Sequence, residues 1–137
     1  MLTGQTAIIT GSTSGIGLGI AEALAAKGAN IVVNSFSDRT EDHAIAAAIA
    51  ARHGVEAVYI KADMARPAEC RDLIGQALAR FGTLEILVNN AGIQHVAPVE
   101  EFPAERWDAI IAINLSSAFH TIAAAVPPMR AAGSGRI

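Results

Sequence analysis

Cysteine is almost missing from this chain. Cys70 stands alone, which excludes an intrachain disulfide and any zinc site built on cysteine pairs. A single cysteine of this kind reads as a structural thiol in a helix. Aromatic residues make up 4% of the chain, with one tryptophan and one tyrosine, and charged residues only 17%. The net charge is −3, and lysine and arginine gather into no basic patch. That balance argues against a nucleic-acid partner. The start, Met1-Leu2-Thr3-Gly4-Gln5, lacks a charged segment followed by an apolar one, so no secretory leader is expected. The apolar runs read as too short to cross a bilayer, and the expectation is a cytoplasmic protein with no membrane partner. His43, His53 and His120 fall in helical stretches with no paired acid at ligand spacing, so no metal site is expected.

What the chain has in quantity is aliphatic surface. Of its 137 residues 52% are hydrophobic, with many Ala and Ile. That is enough for one domain with its own core, built of helices packed closely over a sheet buried on both faces. Strand-like runs at Thr6 to Thr10, Asn30 to Asn34, Ala57 to Lys61 and Leu84 to Val88 alternate with helical runs. The helices are expected over Ile16 to Lys27, Thr40 or Glu41 to His53, Pro67 to Phe81, and Pro103 through Met129. Gly28, Gly54 and Gly82 follow the first three, where helices commonly stop. Such β-α-β-α order predicts a parallel sheet with helices on both faces. Gly133 to Ile137 reads as a turn into a fifth strand cut off as it starts. The domain is therefore expected to be truncated after about four strands, with the strand-four edge and the last helix uncovered. Marginal stability and association follow from that expectation.

Between the first strand and the first helix lies Thr10-Gly11-Ser12-Thr13-Ser14-Gly15-Ile16-Gly17. A strand turning sharply into a helix presents backbone N–H groups and a positive dipole end. Gly11 suits the tight turn, Gly15 a close approach by pyrophosphate, and Gly17 close packing of helix on strand. The hydroxyls of Ser12, Thr13 and Ser14 add further donors. By itself the segment also fits a plain Gly/Ser-rich connection. Asp63 follows the third strand, where α/β ligands bind, although a loop or helix-capping carboxylate would read the same way.

The spacing G-x-x-x-G-x-G resembles the fingerprint of the short-chain dehydrogenase/reductase family. Ala62-Asp63-Met64, Asn89-Asn90-Ala91-Gly92 and Ile113-Asn114-Leu115-Ser116 stand in order and at the intervals of that family. The resemblance covers the whole chain. It implies a Rossmann-like, doubly wound α/β fold, with residues 1–137 forming a single NAD(P)-binding domain incomplete at its C-terminus. It also implies cofactor contacts from Gly11, Ser12, Thr13, Ser14, Gly15, Ile16 and Gly17, and from Phe36, Asp63, Met64, Asn90, Ala91 and Gly92. Asp63 would accept from the adenine amino group, and Met64 would line the ring.

Ser35 stands where NAD-selective relatives commonly carry an acid, Phe36 follows it, and Arg39 is near. The segments Ser12 to Ile20 and Gly92 to Pro103 resemble the branch of the family that interconverts 3-hydroxybutyrate and acetoacetate, which makes NAD the expected cofactor. The same likeness gives Gln94 the carboxylate of a small hydroxy acid, although the residue alone reads equally as a solvated loop amide. Asn114 corresponds to one member of a catalytic Asn-Ser-Tyr-Lys group. The other three have no counterpart here, since Tyr59 is the sole tyrosine and lies in a strand. The chain alone is expected to be inactive. Two other readings remain open: a dinucleotide-binding fragment or pseudoenzyme, and another reductase such as a 3-oxoacyl carrier-protein reductase. Homo-oligomers, usually tetramers, are the family's habit.

Overall fold

The computed structural model describes residues 1–137. In chain order the elements are β1 (Thr6–Ile9), α1 (Gly15–Ala26), β2 (Asn30–Ser35), α2 (Thr40–His53), β3 (Ala57–Lys61), α3 (Pro67–Phe81) and β4 (Ile86–Val88). A 3-10 turn at Val99–Glu101 precedes α4 (Ala104–Ile111), a π turn (Ala112–Ser116) and α5 (Ser117–Ala132). The four strands form one parallel sheet in the order β3-β2-β1-β4. The chain leaves the sheet's middle in both directions from β1. That reversal opens a crevice at the carboxyl ends of the strands.

Alternation along each strand divides the core in two. Ala7, Ile9, Ile31 and Val33 face Ala21 and Ala25 of α1 and Ala46 and Ile49 of α2. On the other side Ile8, Val32, Ile60 and Leu87 meet Leu73, Ile74 and Ala77 of α3, with Ala125 and Met129 of α5. All four residues of β1 are buried. Each fully buried Ile or Leu contributes about 1.5–3 kcal/mol. The buried alanines of α1, Ala21 and Ala25, carry only a methyl group, so the helix packs close against the sheet.

The expected elements are present, with shifted ends that have causes. β1 stops at Ile9 because the Thr10 hydroxyl turns to accept the N–H groups of Asn90 at 3.0 Å and Ala91 at 2.9 Å. β4 starts at Ile86 rather than Leu84. Glu85 instead ties itself to Thr6, whose N–H donates to the Glu85 carboxylate at 2.7 Å. The single helix expected from Pro103 is a continuous helical stretch from Ala104 to Ala132 that passes through the π turn carrying Asn114.

This stretch corrects one reading. Its 29 residues include a window of mean hydropathy 1.7, so by length and composition it could span a bilayer. Asp108, Asn114 and His120 break the run to the eye but leave the helix unbroken. One face, Ser117, Thr121, Ala125 and Met129, is buried in the domain, while Trp107, Leu115 and Phe119 are exposed.

The outer edge of β4 is less open than expected. The Arg136 N–H donates to the Glu85 carbonyl at 2.9 Å, and the Leu87 N–H donates to the Arg136 carbonyl at 3.0 Å. A parallel bridge thus joins Ile86 and Arg136, where the sequence suggests a strand beginning. Two histidines also meet acids that lie away from ligand spacing. His53 of α2 faces Glu22 of α1 at 2.5 Å, and His43 faces Asp38 at 2.6 Å. The Glu22 carboxyl is held below its ordinary range mainly by the His53 hydrogen bond.

Candidate functional site

A cavity of about 500 Å³ opens at the carboxyl ends of the strands. Its walls are Gly11, Thr13 and Ser14 after β1, Asn34 to Phe36 at the end of β2, Ala62 to Ala65 after β3, Asn90 to Ile93 after β4, and Ile113 from the π turn. Nine of the candidate cofactor residues line it: Gly11, Thr13, Ser14, Phe36, Asp63, Met64, Asn90, Ala91 and Gly92.

The first turn is shaped by what its glycines leave out. Gly11 has a φ of +60°, and a Cβ there would lie 2.9 Å from the Ala91 Cα. Gly15 has a φ of +57° with open space before it. Gly17 packs not on a strand but on the turn itself, because a Cβ would stand 2.4 Å from both the Asn90 amide nitrogen and the Gly11 carbonyl. The expected helix–strand contact is therefore a helix–loop contact. The first α1 N–H with a carbonyl partner is that of Leu18, which donates to Ser14 at 3.2 Å. The N–H groups from Thr13 to Gly17 are left without backbone partners, as a helix start requires, and they combine with the dipole to attract an anion.

Ser12 departs from its expected role. Its hydroxyl is fully buried, donates to the Ile9 carbonyl at 2.6 Å and accepts the Asn34 N–H at 3.0 Å. Its own N–H donates to the Asn34 carbonyl at 2.8 Å. Ser12 shapes the turn and offers no donor to a ligand. Thr13 and Ser14 make no side-chain hydrogen bond, and Ser14 starts α1 without capping it. Ile16 is 79% exposed and lies outside the lining, so its contribution is its backbone N–H.

Three residues that tie this site together escape a reading by motif. Asn34, fully buried, accepts the Gly11 N–H at 3.2 Å and donates to the Ile60 carbonyl at 3.0 Å. It thereby couples the first turn to the end of β3. Thr10 holds the loop after β4 through the two bonds given above. Thr121 of α5 donates to the Asn89 side chain at 2.5 Å. The only signal for Asn34 is a polar residue inside the strand run Asn30-Ile31-Val32-Val33-Asn34. Asn90 serves both roles anticipated for it. It lines the cavity, and its amide donates to the carbonyls of Thr10 and Gly11, each at 3.0 Å.

Asp63 is the sole ionisable residue of the lining. One carboxylate oxygen accepts the Ala65 N–H at 2.9 Å, and the other lies 3.9 Å from Arg66. Part of its acceptor capacity thus serves its own loop. Met64 is buried, and its carbonyl accepts the Cys70 thiol at 3.4 Å. Burial pushes that thiol's pKa up, in keeping with a structural cysteine.

Beyond the Ser35-Phe36 wall the loop is pinned. Asp42, fully shielded at the third position of α2, accepts the Arg39 N–H and the Ser37 hydroxyl, each at 2.8 Å. Its other oxygen pairs with the Arg39 guanidinium at 3.0 Å. These bonds, the Arg39 side chain's first among them, hold the carboxyl at about 2. Tyr59 donates its hydroxyl to the Ser37 carbonyl, and burial raises its pKa.

On the opposite side of the cavity, Asn114 clamps Ile93. Its amide accepts the Ile93 N–H and donates to the Ile93 carbonyl, each at 2.8 Å. The side chain is committed to the loop and holds no other partner. Gln94, the next residue, is exposed, makes no hydrogen bond and lies outside the lining. His95 packs edge-on against Phe102 at 5.3 Å. The arrangement can hold an anion at the start of α1, offer a carboxylate to amino or hydroxyl donors, and present no cation to the ligand.

Comparison with known proteins agrees with this geometry. The family model described as short chain dehydrogenase matches residues 5–137. The chain is 59% identical over all 137 residues to D-beta-hydroxybutyrate dehydrogenase of Cupriavidus necator, covering 52% of that protein. It is 51% identical over 133 residues to the D-beta-hydroxybutyrate dehydrogenase of Rhizobium meliloti, covering 97% of this chain and again 52% of the relative. The chain therefore spans about half the length of the curated relatives it matches. Among solved structures, a metagenomic short-chain oxidoreductase in complex with NADP superposes with a TM-score of 0.89 at 34% identity, over 97% of this chain and 60% of that one.

Proposed function

The chain belongs to the short-chain dehydrogenase family, and from that premise we propose that it is the cofactor-binding part of an NAD-dependent 3-hydroxybutyrate dehydrogenase. The observation that carries the cofactor reading is the row of unpartnered N–H groups from Thr13 to Gly17, which begins at the cavity lining with Thr13 and Ser14. The open space before Gly15 fits a pyrophosphate there. Asp63 suits the adenine amino group. NAD is favoured over NADP because no basic residue lines the cavity, so a 2′-phosphate beside Ser35 and Phe36 would meet no counter-ion. The substrate reading rests on the identity to the two hydroxybutyrate dehydrogenases.

When bound, the nicotinamide supplies the acceptor and donor of hydride. The protein's part in this half of the chain is to hold and to orient. Asn114 fixes Ile93 through both backbone groups, and so sets where Gln94 leaves the cavity wall. Gln94, with a free amide, donates to the carboxylate of the hydroxy acid. No residue here takes the alcohol proton. Tyr59 is buried in β3, its hydroxyl is given to Ser37, and its raised pKa keeps it protonated. The 137 residues alone are therefore expected to bind NAD without turnover.

A chimera tests the reading. The C-terminal half of the Cupriavidus necator relative, joined after Ile137, is expected to give 3-hydroxybutyrate-dependent reduction of NAD. Gln94→Ala in the chimera raises KM with little change in kcat. Turnover by the 137 residues alone, or a folded chimera that binds NAD and ignores 3-hydroxybutyrate, would contradict the proposal.

A further inference from the structure

We propose that Asp42 is a specificity-determining positioning residue: by holding the Arg39 guanidinium at the start of α2 it keeps that cation from a 2′-phosphate on the adenosine ribose, and so favours NAD. This rests on the nucleotide-site reading above. Ser35 and Phe36 form the cavity wall at the end of β2, and Arg39 is the first cation after them in the chain. A long, 63% exposed side chain at that point could swing toward the cavity. It is instead paired with Asp42 at 3.0 Å, and its backbone N–H donates to the same carboxylate at 2.8 Å.

The clamp is backed on several sides. Ser37 donates to Asp42, Tyr59 donates to the Ser37 carbonyl, and His43 meets Asp38 at 2.6 Å while stacking edge-on to Tyr59 at 5.0 Å. Asp38 is thus already occupied and does not compete for Arg39. Arg66, another cation near the cavity, lies 3.5 Å from Glu69 and 3.9 Å from Asp63, and Lys61 stands opposite Ser35 in the sheet register without entering the cavity lining. An acid in the usual place at the end of β2 would repel a 2′-phosphate directly. Here Ser35 stands in that place, and Asp42 acts one step removed, by taking up the nearby cation.

Titrations of the full 137-residue chain with NADH and NADPH, followed by nicotinamide fluorescence, test this. The wild type is expected to bind NADH more tightly than NADPH. Asp42→Asn keeps the shape but removes the charge. It should lower the NADPH Kd by about threefold to fivefold, the upper range of one exposed Arg–phosphate contact, and leave the NADH Kd unchanged within about 1.5-fold. Arg39→Ala should leave both constants unchanged, and in the double variant the NADPH gain should disappear. An unchanged NADH-to-NADPH ratio in Asp42→Asn, or a gain that survives in the double variant, overturns the role of Asp42 alone. Should Asp42→Asn fail to fold, Arg39→Ala decides: an unchanged NADPH Kd supports the clamp, and a raised one overturns it. A wild type that binds neither dinucleotide defeats the nucleotide-site reading itself, and one that prefers NADPH defeats the reading of NAD.

Discussion

Three glycines on one helix, replaced in turn by alanine, separate the reasons for their presence. At Gly17 a Cβ would stand 2.4 Å from the Asn90 amide nitrogen, 2.4 Å from the Gly11 carbonyl and 3.0 Å from the Ser12 Cα. Two of these atoms are backbone and cannot swing aside. Overpacking of this kind costs about 2 kcal/mol. Displacing Asn90 weakens its two bonds at 3.0 Å to Thr10 and Gly11, about 1 kcal/mol each. Alanine's better helix propensity returns about 1 kcal/mol. The net loss for Gly17→Ala is about 3 kcal/mol, which lowers Tm by about 10 °C for a domain of this size. Gly19 is exposed with nothing within 4 Å, so Gly19→Ala should raise stability by about 0.5–1 kcal/mol. Gly15 also has open space, but its φ is +57°, so Gly15→Ala should cost about 1–2 kcal/mol of backbone strain. Its added methyl group should also weaken dinucleotide binding. Urea unfolding of the three variants reads the order directly. A Gly17→Ala variant as stable as Gly19→Ala would refute the close approach of α1 to Asn90.

Other outcomes follow from the same contacts. Asn34→Asp turns the donor that faces the Ile60 carbonyl at 3.0 Å into an acceptor in a fully buried site; a loss of about 3 kcal/mol or more is expected in urea unfolding, and a neutral effect would contradict the tie. Asn114→Ala removes both bonds to Ile93; these are exposed, so the cost is about 1 kcal/mol, with faster hydrogen exchange at Ile93 and none at Leu87. The pKa of Asp42 falls from 3.8 to about 2 on folding, so its stabilisation is complete above about pH 4 and is lost as pH falls toward 2. Urea unfolding between pH 5 and 2 should show the gap between wild type and Asp42→Asn closing over that interval, and a gap that widens instead would contradict the assignment.

Much of this was legible in the residues because it depends on periodicity and on glycine. The strand–helix alternation, the turn at residues 11–17 and the loop at 90–92 lie where their patterns place them, since parallel strands need continuous apolar runs and tight turns need glycine. What resisted was the direction of side chains. Ser12 has the same hydroxyl as Ser14, yet one is spent on Ile9 and Asn34 while the other is exposed; the choice is made by the curl of the turn, which leaves no mark in the composition. Asn34 reads as an odd polar residue in a strand until β3 is set beside it and the Ile60 carbonyl needs a donor. Asn114 was recognisable by its neighbours, but its clamp on Ile93 joins residues 21 apart in sequence, beyond any local pattern. The apolar length of residues 104–132 was hidden because scattered polar residues interrupt the run without breaking the helix.

The central claim is that the turn from Thr13 to Gly17 is a dinucleotide site. It is tested most directly by backbone amide shifts of the labelled 137-residue chain on titration with NADH. Saturable shifts are expected at Thr13 to Gly17, with smaller ones at Ser35, Phe36, Asp63 and Asn90 to Gly92, and none at Trp107 or Phe119. Unmoved amides at residues 13–17, or shifts confined to α4 and α5, would contradict it.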